Sequence, residues 1–135
     1  MTYLVDANVL SEPTRFAPNP KVIAWLTANE RDFVVDSIIL GELRLGILNL
    51  PRGRKRSQLE NWFDAVVATV ECIPWDREVS GRWAQLVADL KRKGHALPLF
   101  DSMIAATALA HGLTIATRNI RDFEASGIKI VNPFG

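Results

Sequence analysis

YLVDANVLSE, residues 3–12, joins three apolar residues to an aspartate and then to a segment with apolar residues at helical spacing. Tyr3-Leu4-Val5 reads as a short buried strand that ends on the carboxylate of Asp6. Ala7 to Glu12 predicts a helical turn, halted by Pro13. A buried strand that feeds straight into a helix is the opening unit of a parallel α/β sheet.

The same alternation continues outward. Asn19 caps and Pro20 starts a predicted helix to Asn29, with Val22, Ile23 and Leu26 as its apolar stripe. Phe33-Val34-Val35 is a second buried strand. Ser37 is expected to cap a helix over residues 38–50, through Leu40, Leu43, Ile47 and Leu48, which Pro51 ends. The run 52–56 (Arg-Gly-Arg-Lys-Arg) is a basic loop or first turn before a helix from Ser57 to Val70. Glu71 to Trp75 is a third strand, and Arg77 to Arg92 is an amphipathic helix closed near Gly94. After a connector through Pro98, an Ala-rich helix runs from Asp101 to His111. Leu113–Ala116 and Ile128–Val131 are the last strands. The predicted architecture is α/β: a mainly parallel central sheet of about five strands with helices on both faces.

The 135 residues fit one domain, residues 1–135. Hydrophobic residues make up 48% and charged residues 23%, which excludes a disordered or collagen-like chain. The single cysteine, Cys72, can form neither an intrachain disulfide nor a Cys-x-x-Cys metal site, and is expected as a small buried residue beside a strand. No charged segment precedes an apolar run at the N-terminus, and no stretch approaches the length of a membrane helix. A cytoplasmic location is therefore expected. The formal charge is only +1, but the basic residues are eleven Arg against five Lys, and Arg suits bidentate contact with phosphate.

The informative feature is where a few acids fall. Ligands bind at the carboxyl ends of strands in open α/β sheets. Asp6 ends the first strand, Thr117-Arg118-Asn119 follows a later one, Glu42 lies on the helix entered from the second strand, and Asp101 opens the Ala-rich helix. Each has an ordinary reading alone: Asp101 as a helix N-terminal acid, Glu42 as a solvated residue, Asp6 as a cap. Asp36, Asp64, Asp76 and Asp89 read as surface residues or caps. Together, three acids at one sheet edge would repel one another, and a divalent cation removes that repulsion. Oxygen ligands without His or Cys select Mg²⁺ or Mn²⁺ over Zn²⁺. Trp25, Trp62 and Trp83 read as core or interface, and His95 and His111 as helix-end residues.

VDANVLSE at 5–12, SIILGELRLGI at 37–47 and FDSMIAATALAHGLTIATRNIRDFEASGIKIVNPF at 100–134 strongly resemble PIN-domain ribonucleases, and most of all the toxin subunits of bacterial toxin–antitoxin pairs of the VapC and FitB type. The match runs in order from residue 3 to residue 134. It implies a PIN-like fold and a magnesium-dependent endoribonuclease, leaving 5′-phosphate and 3′-hydroxyl ends. By position, Asp6, Glu42 and Asp101 match the family's three main acids, the expected metal ligands, with Mn²⁺ as a substitute for Mg²⁺. The fourth family position falls on Asn119, with Asp122 three residues on as the alternative. Asn8, Ser37 and Thr117 match supporting polar positions. Metal-bound water would be oriented for in-line attack on a phosphodiester. Whether one ion or two act, and which residue serves as general base, stays open.

Arg44, Arg118, Arg121, Arg52, Arg54, Lys55 and Arg56 are candidate contacts to RNA or to the antitoxin. The resemblance further implies a homodimer and a small antitoxin protein, in a heterotetramer or larger complex, with operator DNA bound only through the antitoxin. The helices at 20–29, 38–50 and 57–70 offer it apolar faces. Two other α/β readings fit poorly. A haloacid-dehalogenase phosphatase needs Asp where Asn8 stands, and a receiver domain needs an acidic pair where Val5-Asp6-Ala7 stands. The alternative from another class is a catalytically silent module that binds RNA or a protein.

Overall fold

The computed structural model describes residues 1–135. Five strands form one all-parallel sheet: β1 (Tyr3–Val5), β2 (Phe33–Asp36), β3 (Cys72–Ile73), β4 (Thr114–Ala116) and β5 (Ile130–Val131). Seven helices connect them: α1 (Ala7–Leu10), α2 (Pro20–Ala28), α3 (Ser37–Leu48), α4 (Arg54–Thr69), α5 (Arg77–Arg92), α6 (Leu99–His111) and α7 (Ile120–Glu124). The expected α/β sheet of five strands is present.

The strand order is β3-β2-β1-β4-β5. The chain winds outward from β1 to β3, then crosses back and continues from β4 to β5. Right-handed crossovers put the helices of the two halves on opposite faces of such a sheet. The reversal leaves a crevice between the carboxyl ends of β1 and β4, where open α/β sheets bind ligands. The register pairs Leu4 with Ile115 and Val5 with Ala116, so the residues that follow, Asp6 and Thr117, emerge side by side.

The core explains why such short strands hold. Leu4, Val5, Val35, Ile104 and Ile115 have no solvent exposure, and burying each stabilises the fold by roughly 1.5–3 kcal/mol. Helix α6 is Ala-rich because Ala105, Ala106 and Ala108 are fully buried, and small side chains let the helix approach its neighbours closely. Gly112 ends it in the left-handed conformation, φ +64°, which glycine adopts without strain.

Several boundaries differ from expectation for identifiable reasons. Pro13 does not stop the first helical turn but sits inside a 3-10 turn, Glu12–Thr14, that prolongs it. The cap of α3 is Asp36, whose Oδ1 accepts from the Ile39 N–H at 2.8 Å, and Ser37 is the first helical residue. β3 is shorter than 71–75 because it is an edge strand paired only with β2, and Pro74 lacks the N–H to extend it. Cys72 is exposed on that edge and not buried. Three of the five residues of the basic run 52–56 are already helix, since α4 begins at Arg54.

Candidate metal-dependent active site

The strand ends build the site. Asp6 leaves β1 in extended conformation and caps α1, with its Oδ1 accepting from the Ala7 N–H at 2.8 Å. Its Oδ2 accepts from the Thr117 hydroxyl at 2.7 Å and from Asn8 Nδ2 at 3.4 Å. Thr117 is fully buried, and its oxygen accepts in turn from the Asn119 N–H at 3.0 Å. Asn8 Oδ1 accepts from the Arg118 N–H at 3.1 Å. The segments after β1 and β4 are thus laced together around one carboxylate, which Asn8 and Thr117 both touch. Ser37 does not: its exposed hydroxyl turns to β3, 3.4 Å from the Ile73 carbonyl.

Glu42 is carried in by α3, half-buried, in the second turn. Its Oε1 is buried and has no hydrogen-bond partner. Burial pushes its carboxyl up to about 7, and the charges of Asp6, Asp101 and Asp36 push in the same direction. Asp101, in the first turn of α6, is pushed up to about 6 by burial, then by the charges of Asp6 and Asp122, with a hydrogen-bonding contact from Asp122 adding to the rise. Asp6 is raised by burial, and its bonds from Thr117 and Ala7 offset part of the rise. Five acids, Asp6, Asp36, Glu42, Asp101 and Asp122, therefore share one electrostatic neighbourhood.

Between the two candidates for the fourth position, the geometry separates backbone from charge. Asn119 is exposed, and it reaches the site through its main-chain bond to Thr117. Asp122, half-buried on α7, is the carboxylate that acts on both Asp6 and Asp101. Asp36, expected as a surface residue or a cap, is a cap but a buried one. Its Oδ2 has no partner, and its charge reaches Glu42. The signal in the sequence was its place at the end of β2, the same place that Asp6 takes at the end of β1.

The donor chemistry fits a hard divalent cation. All the candidate donors are oxygens, two buried carboxylate oxygens lack partners, and the carboxyls repel one another toward protonation. In the present arrangement no three Asp, Glu, His or Cys side chains converge closely enough to enclose an ion.

The cations divide into two groups. Arg44 lies over the Phe63 ring at 5.7 Å, Arg118 over Phe134 at 4.6 Å, and Arg56 pairs with Glu60 at 2.8 Å. Arg52, Arg54, Lys55 and Arg121 are exposed and form no ion pair.

A family model described as the PIN domain matches residues 3–127. A VapC ribonuclease of Sinorhizobium fredii is 35% identical over 97% of this chain and 96% of its own length. The toxin FitB of Neisseria gonorrhoeae is 36% identical over 97% of both. A chain in the solved structure of FitAB bound to a DNA fragment superposes with a TM-score of 0.93 at 33% identity, covering 99% of this chain and 96% of that one.

Proposed function

The chain belongs to the PIN-domain family, and we propose that it is a magnesium-dependent endoribonuclease, the toxin of a toxin–antitoxin pair. One observation carries the reading. Asp6, Glu42, Asp101 and Asp122 gather at the switch point of the sheet, with the carboxyls of Glu42 and Asp101 raised to about 7 and about 6. Acids held there without a cation destabilise the fold, and a binding function explains their cost.

Asp6, Glu42 and Asp101 would hold Mg²⁺ or Mn²⁺, with Asp122 as the fourth carboxylate and Asn119 beside it. The bound ion supplies neutralising charge and a more acidic water for attack on phosphorus. This chain's own residues set the stage. Thr117 and the Ala7 N–H fix Asp6 and offset part of the rise that burial imposes on it. Asp36 starts α3 so that Glu42 points into the crevice. Arg118, Arg121 and Arg44 contribute positive charge for the RNA backbone.

The partners follow the same reading. Leu45 and Leu48, one turn apart on α3, are 51% and 44% exposed, an apolar edge suited to a helix of a small antitoxin, and Val67 on α4 is 47% exposed. Helix α2 presents no comparable large apolar residue. Operator DNA is contacted through the antitoxin, in keeping with the formal charge of +1 here and with the DNA-bound FitAB relative. On the same reading the protein acts as a homodimer in the cytoplasm.

The test is cleavage of a mixed RNA pool by antitoxin-free protein in Mg²⁺. Cleavage should vanish in EDTA and in Asp101→Asn, and mapped ends should carry 5′-phosphate. Cleavage that persists in both controls would overturn the assignment.

A further inference from the structure

Residues 117–119 leave β4 beside the turn that follows β5. The register pairs Ala116 with Val131, and the Thr117 N–H donates to the Val131 carbonyl at 3.0 Å, so the two segments leave the sheet together. The turn after β5 closes at once. Asn132 Oδ1 accepts from the Phe134 N–H at 3.0 Å, and the Asn132 carbonyl accepts from the Gly135 N–H at 3.2 Å. Pro133 between them is buried and its φ is fixed. Phe134 is half-buried and packs against the core. Its ring is therefore held in place before anything binds.

The Arg118 guanidinium lies over that ring, 4.6 Å from its centre. Arg118 is exposed and forms no ion pair, so the ring steadies a cation that would otherwise swing in solvent. Its main chain is bonded into the acidic site. The Arg118 N–H donates to Asn8 Oδ1 at 3.1 Å, and Asn8 Nδ2 lies 3.4 Å from both Asp6 Oδ2 and the Thr117 hydroxyl. A side-chain amide has one donor end and one acceptor end. With its oxygen taken by the Arg118 N–H, Asn8 presents its NH₂ to Asp6, the end that a carboxylate accepts from. If residues 117–119 move, that orientation loses the donor that selects it.

We propose that Phe134 is a positioning residue for the acidic site. It holds Arg118, the Arg118 N–H orients Asn8, and Asn8 steadies Asp6 Oδ2. The inference rests on the reading of Asp6 as a metal ligand and extends the site to a residue beyond the last strand. A cation–π contact at an exposed position is worth a factor of about two to five, so the effect is graded and not total.

The experiment compares the full chain with Phe134→Leu, Phe134→Trp and Arg118→Met. Phe134→Leu keeps an apolar side chain, removes the ring face and changes no charge. Phe134→Trp keeps a ring. Arg118→Met leaves the core untouched, so it tests the contact even if Phe134→Leu loosens the fold. In metal-free protein, hydrogen exchange at the Arg118 amide is followed by NMR. Phe134→Leu and Arg118→Met should each speed it about twofold to fivefold, Phe134→Trp should match the parent, and the double variant should be no faster than either single one. In Mn²⁺ titrations followed by electron paramagnetic resonance, Phe134→Leu should weaken binding by a similar factor. It should cause no further loss in Asn8→Ala, through which the effect passes. A ring that only fills space would lower Tm and leave both couplings at zero.

Unchanged exchange at Arg118 in Phe134→Leu and Arg118→Met, or an Mn²⁺ loss that persists in full in Asn8→Ala, would overturn the inference and leave the ribonuclease reading standing. A parent that takes up no Mn²⁺ would overturn the reading of Asp6 as a metal ligand, and the inference with it.

Discussion

The Thr117 hydroxyl, just past β4, donates a 2.7 Å hydrogen bond to Oδ2 of Asp6, just past β1. That bond closes the crevice where the sheet reverses its winding, and it joins residues far apart in sequence. It also offsets part of the burial that raises the Asp6 carboxyl. Replacing Thr117 by Val keeps the volume and removes the donor. RNA cleavage should fall between tenfold and a hundredfold, the range expected for a hydrogen bond to a charged group. The acid limb of the pH–rate profile should move to higher pH, and Thr117→Ser should recover most of the activity. An unshifted profile would mean that Thr117 serves only packing.

The raised carboxyls make stability depend on pH with a definite sign. Glu42 rises from 4.5 to about 7 and Asp101 from 3.8 to about 6. Between the unfolded and folded values the native state holds protons that the unfolded chain has released, so stability falls as pH rises through that window. In EDTA, the Tm contribution of these two acids should decline from about pH 4 to about pH 7. Asp101→Asn and Glu42→Gln should each flatten the decline, and Mg²⁺ should reverse it in the parent only. Differential scanning calorimetry across that range checks this. A Tm independent of both substitutions would show that the acids are not strained against one another.

Asp36 is a cap and a buried charge at once, and the two roles separate by substitution. Asn caps as well as Asp, so Asp36→Asn should keep stability within about 0.5 kcal/mol, whereas Asp36→Ala should lose about 1 kcal/mol. Removing the charge beside Glu42 should also lower the Glu42 pKa in Asp36→Asn. Urea unfolding and carboxyl titration by NMR read the two effects independently.

Trp83 on α5 donates its indole N–H to the Ser102 hydroxyl at 2.9 Å, one residue after Asp101. Trp83→Phe keeps an aromatic ring in place and removes the donor. It should lower stability by about 1 kcal/mol, or about 4 °C in Tm. The cleavage rate should fall less than in Thr117→Val, because Trp83 bonds the neighbour of Asp101 whereas Thr117 bonds the Asp6 carboxylate itself.

What the sequence makes legible is what strand ends dictate. Asp6, Glu42 and Asp101 stand out because each follows an apolar run into a helix. Asp36 ends its strand in the same way, but its likeness to an ordinary cap hides the unpartnered oxygen that only packing exposes. The choice between Asn119 and Asp122 depends on the short helix α7, which turns Asp122 toward Asp101. No local signal separates the two. Cys72 differs from expectation because β3 lies at a sheet edge, a fact of topology and not of local pattern.

These carboxylates are proposed to bind a divalent cation. The direct measurement is Mn²⁺ bound per chain, followed by electron paramagnetic resonance as antitoxin-free protein is titrated. The parent should take up Mn²⁺ competitively with Mg²⁺, Asp101→Asn should bind at least about tenfold more weakly, and RNA cleavage should track occupancy. A parent that binds no Mn²⁺, or an Asp101→Asn protein that binds it equally well, would show that these carboxylates hold no cation.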